Sequence, residues 1–190
     1  MVGDKFMLPR DMRQILYRGI SASEAAARRK ERIGEAAPGD RILVDTYNVL
    51  FTINNYLLGR PVFISNDGML RDAGEMRGRI VNKPVFSRSI SLMLDVMNLW
   101  KFASFMLYLD EPVSYSGRLA MELSKDMVQL EIEGEAVTVR SADTMLLEKK
   151  GDAVCTSDTA VIDRSGAKVI DLPRFLLEKF FRPGFQSLEV

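Results

Sequence analysis

Three apolar runs in this sequence each finish on an acid: Arg41-Ile-Leu-Val-Asp45, Ser104-Phe-Met-Leu-Tyr-Leu-Asp110 and Ala153-Val-Cys-Thr-Ser-Asp158. Short apolar runs alternating with helical patterns read as buried strands. In an open parallel sheet, ligands gather beyond the carboxyl ends of the strands, where the strand order switches. Acids placed there are like charges held close together. A hard divalent cation, Mg2+ or Mn2+, is the usual neutraliser because it favours carboxylate oxygens. For any single Asp, capping the next helix is the competing role. Three of them on three strands of one sheet favour a shared site.

Composition removes most other chemistries. The 190 residues include no His, which excludes Ser-His-Asp and Cys-His catalysis, His-ligated zinc or haem, and imidazole pH switching. One Cys permits neither an intramolecular disulfide nor a Cys-clustered metal site, and Cys155, inside an apolar run, reads as structural. The 26 basic and 26 acidic residues cancel, so any basic patch must be local. A haloacid-dehalogenase-type phosphatase needs a second Asp two residues after the first, where this chain has Tyr47. Neither the dinucleotide-binding nor the P-loop glycine pattern occurs. The first residues are too polar for a signal peptide, and no run approaches the roughly 20 apolar residues of a membrane span. The expectation is a cytoplasmic chain with no membrane partner.

The elements that must position the acids follow from periodicity and punctuation. Residues 9–33 predict two short helices, and 34–40, with Pro38 and Gly39, predict a linker. Strands are expected at 41–44, 104–109, 136–139, 153–156 and 167–170, and helices at 47–58, 87–101, 117–127, 142–150 and 173–181. Residues 61–79, with Asn66-Asp67-Gly68 as a turn signal, look like an irregular excursion. Five strands with helical crossovers predict an α/β fold, a parallel sheet with helices on both faces. The chain divides into a helical extension (1–38) and an α/β domain (41–190). Between Arg10 and Ile33 stand seven basic residues against three acidic ones, expected to face solvent or a cleft rim outside the sheet's layers. Deleting the extension is expected to leave the domain folded.

Val44-Asp45-Thr-Tyr47-Asn48-Val49-Leu50 resembles the D-x-Y-N-V/I signature at the first strand of PIN-like nucleases, particularly the NYN subgroup. Leu107-Tyr-Leu-Asp110 sits where those proteins carry a second strand ending in an acid. Ser141-Ala-Asp143-Thr144 resembles their A-D-D segment, and Val154-Cys-Thr-Ser157-Asp158 their V-T-S/N-D segment. Gly166-Ala-Lys-Val-Ile170 followed by Phe175-Leu176 resembles the fifth strand and last helix, so the likeness covers residues 41–177. Thr144 departs from it, standing where the second acid of A-D-D belongs. The extension and the 61–79 excursion have no counterpart in a minimal PIN-like fold. The two-part layout also resembles an archaeal family of unknown function.

The resemblance implies strand order 3-2-1-4-5, which sets Asp45, Asp110 and Asp158 on neighbouring strands with Asp143 approaching from the side. It implies a ribonuclease in which these acids hold Mg2+ or Mn2+ that activates water against a phosphodiester. Asn48 would orient ligand and Ser157 would hold a coordinated water. Arg118, just after the second strand, would clamp a phosphate; Arg71, Arg77, Arg79 and the Arg28-Arg29-Lys30 run would extend the track. Asp67 and Asp72 are weaker candidates for an extra ligand. The alternative is a catalytically inactive PIN-like module that binds RNA or protein, which Thr144 and the neutral net charge favour. A homo-oligomer is left open.

Overall fold

The computed structural model describes residues 6–74, 83–101 and 103–188. Helices α1 (Arg10–Gly19) and α2 (Ser23–Lys30) lead into strand β1 (Arg41–Asp45) and helix α3 (Thr46–Leu57). A pair of short strands, β2 (Val62–Ile64) and β3 (Leu70–Asp72), precedes α4 (Lys83–Leu99). The chain then alternates through β4 (Ser104–Asp110), α5 (Ser116–Gln129), β5 (Gly134–Val139), α6 (Ala142–Glu148), β6 (Ala153–Cys155), α7 (Thr159–Ser165), β7 (Lys168–Val169) and α8 (Leu172–Phe181).

The main sheet runs β5-β4-β1-β6-β7 with every neighbouring pair parallel, which is the expected 3-2-1-4-5 order counted over its five strands. β1 lies at the centre, with Val44 in register with Leu107 on one side and Cys155 on the other. Its apolar residues do not alternate with polar ones because both faces are covered. Ile42 and Val44 point into a core shared with Leu50 and Ile53 of α3, Met93 and Met97 of α4, Leu123 of α5 and Leu176 of α8. Leu43, pointing the other way, packs with Val154, Leu146 of α6, and Val161 and Ile162 of α7. The reversal of strand order thus falls at β1, between β4 and β6, and the carboxyl end of β1 is where a ligand crevice belongs.

Three expectations need correction. The 61–79 excursion is an antiparallel hairpin as far as it is described, with β2 and β3 paired from Val62–Asp72 to Ile64–Leu70 around the Asn66-Asp67-Gly68 turn. Three-residue strands leave no readable periodicity. Helix α7 has no counterpart among the expected elements: its seven residues are closed between the Asp158 cap and Gly166 in the left-handed region, with only Val161 and Ile162 buried.

The third correction concerns the N-terminal helices, which pack on the α/β domain. Ile33 pairs in parallel with Val169 and so continues the sheet beyond β7. The Gly34 N–H donates to the Val169 carbonyl at 2.9 Å, and the Val169 N–H donates to the Arg32 carbonyl at 2.9 Å. Arg32 donates to the carbonyls of Ile162 and Ala167 and to Ser165 Oγ. Arg18 meets Asp72 at 3.2 Å, and Arg29, 8% exposed, pairs with Asp163 and Asp67. Arg18 and Arg29 turn inward because their carboxylate partners lie in the domain, where a buried charge needs an opposite one, whereas Arg32 is held by backbone carbonyls and a hydroxyl.

Candidate active site

The ends of β1 and β6 are stitched together by side chains. Asp45 closes β1 and caps α3, its Oδ1 accepting the Asn48 N–H at 3.2 Å. Its Oδ2 accepts the Thr156 hydroxyl at 3.3 Å. Asn48 Oδ1 in turn accepts both the N–H and the hydroxyl of Ser157, each at 3.0 Å. That fixes the orientation of the Asn48 amide and leaves its NH2 group with no acceptor among the described residues. Asp158 caps α7 by accepting the Ala160 and Val161 N–H groups at 2.8 and 3.0 Å. On the other flank, Asp110 Oδ1 accepts the Ala142 N–H at 2.8 Å, holding the start of α6 against the end of β4. Ser141 caps α6, and Asp143 rides its first turn. Asp45 and Asp158 thus both fill the competing role of helix cap.

The four acids act on one another. Burial raises the Asp45 carboxyl to about 7 against the pull of the Asn48 N–H, with repulsion from Asp143 and Asp110 adding to it. Asp143 is also raised, by desolvation on its protein side and then by repulsion from Asp158 and Asp110. Among the described residues, none of the four carboxylates has an ion-pair partner. Two buried hydroxyls in the first turn of α3, Thr46 Oγ1 and Tyr47 OH, have no hydrogen-bond partner among the described residues. The Tyr47 ring stacks on Phe51 at 5.4 Å, and its phenol is pushed up to about 12, by burial first and then by the charge of Asp110. Tyr47→Phe should therefore raise the unfolding free energy of the ligand-free protein by about 1 kcal/mol, since it removes an unsatisfied buried hydroxyl at nearly constant volume. Thermal melting checks this; a lowered midpoint would show that the hydroxyl is satisfied in solution.

Residues 35–175 match the family model described as a domain of unknown function, DUF5616. The chain belongs to this family. It is also similar to the uncharacterized protein MJ0935 of Methanocaldococcus jannaschii, 31% identical over 135 residues that make up 70% of this chain and 64% of the relative. The match thus spans a little under two thirds of that relative's length. No solved structure matches the chain. Within the DUF5616 segment lie Asp45, Asn48, Asp110, Asp143, Ser157 and Asp158, whereas α1 and α2 precede it.

The ligand set expected from the sequence, three acids sharing one cation, is not formed: among the described residues, no three His, Cys, Asp or Glu side chains are grouped closely enough to hold a metal ion. Asp45, Asp110 and Asp143 repel one another pairwise, and Asp143 alone meets Asp158. Such a donor set suits a hydrated Mg2+ or Mn2+ better than a caged ion, because Mg2+ keeps several waters and is commonly held by one or two carboxylates plus substrate oxygens. One or two of these carboxylates, none with an ion-pair partner among the described residues, fit such a hydrated ion.

The cations expected to hold phosphate are mostly elsewhere. Arg71 is buried, its guanidinium clasping Asp67 at 2.6 and 2.9 Å and donating to the Ser157 carbonyl at 3.1 and 3.2 Å. It supports the site loop from beneath and has no face for a substrate. Arg118 is 76% exposed and paired with Glu122 one turn along α5. Arg77 and Arg79 lie outside the described residues. Asp67 and Asp72 are buried and committed, Asp67 to Arg71, Arg29 and Ser65, and Asp72 to Asn55, Thr52 and Arg18. Ser157 spends its hydroxyl on Asn48. Cys155 is free and buried, as expected. No helix among the described residues is long and apolar enough to cross a membrane.

Proposed function

We propose that this protein is a metal-dependent phosphodiesterase acting on RNA, a PIN-like ribonuclease whose centre is the acidic crevice at the end of β1. The observation that carries this is the set of carboxylates at a strand-order switch, Asp45, Asp110 and Asp143 repelling one another and Asp158 repelling Asp143, with no cationic side chain paired to them among the described residues. Protein that crowds like charges together loses stability by it, and a bound cation offsets the loss. The D-x-Y-N motif at Asp45 and the sheet order accord with the PIN-like resemblance.

A bound Mg2+ or Mn2+ supplies activation of water and charge compensation on the scissile phosphate. The chain's own groups do the rest. Asp45, with one of its neighbours Asp110 or Asp143, would hold the hydrated ion, water completing its shell. The half-buried Asn48 amide, aimed by Ser157, offers its free NH2 to a phosphate oxygen. With no His in the chain, protons leave through water and carboxylates. A cytoplasmic setting accords with the single free cysteine.

A second reading, a PIN-like module that binds RNA or protein without turnover, is favoured by Thr144 at the position of a second acid and by the open ligand set. Labelled single-stranded RNA, structured RNA and single-stranded DNA incubated with purified protein separate the two. The enzyme cleaves RNA in Mn2+ and stops in EDTA. The binding module retards RNA in a gel, leaves it intact, and is indifferent to EDTA.

A further inference from the structure

One buried chain of alternating charges runs from the N-terminal helices to the acidic crevice. The guanidinium of Arg29, on α2, makes a two-pronged clasp on Asp163 of α7, Nε and Nη2 each at 2.7 Å. Its Nη1 turns the other way, to Ser21 Oγ at 2.8 Å and to Asp67 Oδ2 at 3.4 Å. Asp67, at the tip of the β2–β3 hairpin and wholly buried, is clasped in turn by Arg71. Arg71 then donates twice to the Ser157 carbonyl. Ser157 aims Asn48, and the next residue, Asp158, caps α7, the helix that carries Asp163 a turn and a half further on.

We propose that Arg29 is a positioning residue for the acidic site. The Thr156–Asp158 loop carries no apolar anchor of its own and is held from two sides. Arg71 grips its carbonyl from the hairpin, and Arg29 fixes the helix into which it leads. The Asp67–Arg71 pair lies within the DUF5616 segment, whereas Arg29 precedes it, so the second hold is contributed by the extension. The extension thereby sets the placement of Asp158, and through Ser157 that of the Asn48 amide. It does so without touching substrate. The consequence for ion binding rests on the metal-dependent function proposed above; the positional consequence does not.

The test uses the full chain with Arg29→Met, which keeps the aliphatic stem and removes the fork, Arg29→Lys, which keeps the charge, and Asp163→Asn, which opens the same clasp from its 42% exposed end. Amide hydrogen exchange is read at Ala160 and Val161, whose N–H groups are held by Asp158, against Leu107 in the middle of β4. Arg29→Met and Asp163→Asn should speed exchange at the two α7 amides by about tenfold or more and leave Leu107 unchanged, with Arg29→Lys between them and wild type. Calorimetry with MnCl2 alone should show affinity several-fold weaker in the same order. Exchange that rises equally at Leu107, or at neither place, overturns the proposal, because Arg29 would then add only general stability or nothing. Should Arg29→Met fail to fold, Asp163→Asn decides by the same pattern. If wild type takes up no Mn2+, the metal-dependent function falls, and the exchange result still stands or falls by itself.

Discussion

Asp45→Asn is expected to cut Mn2+-dependent RNA cleavage by at least about a hundredfold, since even partners one step removed from a metal are worth 10- to 100-fold. The same change is expected to stabilise the metal-free protein, and the sign can be worked out. The folded-state carboxyl sits at about 7, raised by burial and by Asp143 and Asp110, whereas an unfolded Asp ionises near its ordinary value of roughly 3.9. A carboxyl raised by folding weighs nothing against stability at low pH. Its penalty grows as the pH climbs from the unfolded value to the folded one, then levels off. At about pH 8 it is of order 2–4 kcal/mol, and Asn, which cannot ionise, escapes it. Asn also keeps the cap on α3, because its side-chain oxygen can accept the Asn48 N–H as the carboxylate does. Urea unfolding of wild type and variant should give nearly equal midpoints at about pH 3.5, below the unfolded-state value, and a gap in favour of the Asp45→Asn variant near pH 8. Added Mn2+ should close that gap by raising wild type alone. A variant less stable at both pH values would make Asp45 a cap and nothing more.

How much of this was legible beforehand depends on the range of the interaction. The strands were readable because runs such as Ile42-Leu-Val44 are buried on both faces and so are continuously apolar. The sheet order could be expected because the D-x-Y-N motif carried a resemblance; no local pattern encodes which strands neighbour. Helix α7 and the hairpin escaped because three to seven residues hold too few periods to show one. The acids at the strand ends were legible by type and position, and Asp143 only through the resemblance. The basic residues were misjudged for a physical reason: sequence gives the charge of an arginine and not the direction in which it turns. Arg71 stands four residues from Asp67 across a turn, a local spacing that does signal a pair. Arg29 and its partner Asp163 are 134 residues apart, and nothing near either announces the other. The unpartnered hydroxyl of Tyr47 is equally invisible, since it is a property of what surrounds the ring.

Removing residues 1–38 decides whether the extension is an appendage or part of the fold. The sequence, with its Pro38-Gly39 punctuation, predicts a domain that survives the cut. The structure adds a cost: the domain still folds but melts lower. The cut takes Arg18 from Asp72, Arg29 from Asp67 and Asp163, and Arg32 from the carbonyls of Ile162 and Ala167. It also strips Ile33 from the edge of β7. Asp72 and Asp67 are nearly or wholly buried, and a buried charge that loses a partner costs about 3–5 kcal/mol. Asp67 retains Arg71, and Asp72 retains Asn55 and Thr52, which keeps the loss at the lower end of that range for each. Burial alone would raise the Asp67 carboxyl; the hydrogen bond and charge of Arg71, with the Ser65 hydroxyl and the Met69 N–H, outweigh it and hold it below the ordinary range. A depressed carboxyl contributes stability that is present above the unfolded value and is lost as the pH falls through the folded one. Because Arg71 remains, that acid limb should persist in the truncated protein. The expected result is a melting midpoint lower by about 10–25 °C at neutral pH for a chain of this size, with the α/β circular dichroism retained at low temperature. An unchanged midpoint would return the boundary to residue 38 and leave the inward-facing arginines of α1 and α2 without energetic consequence.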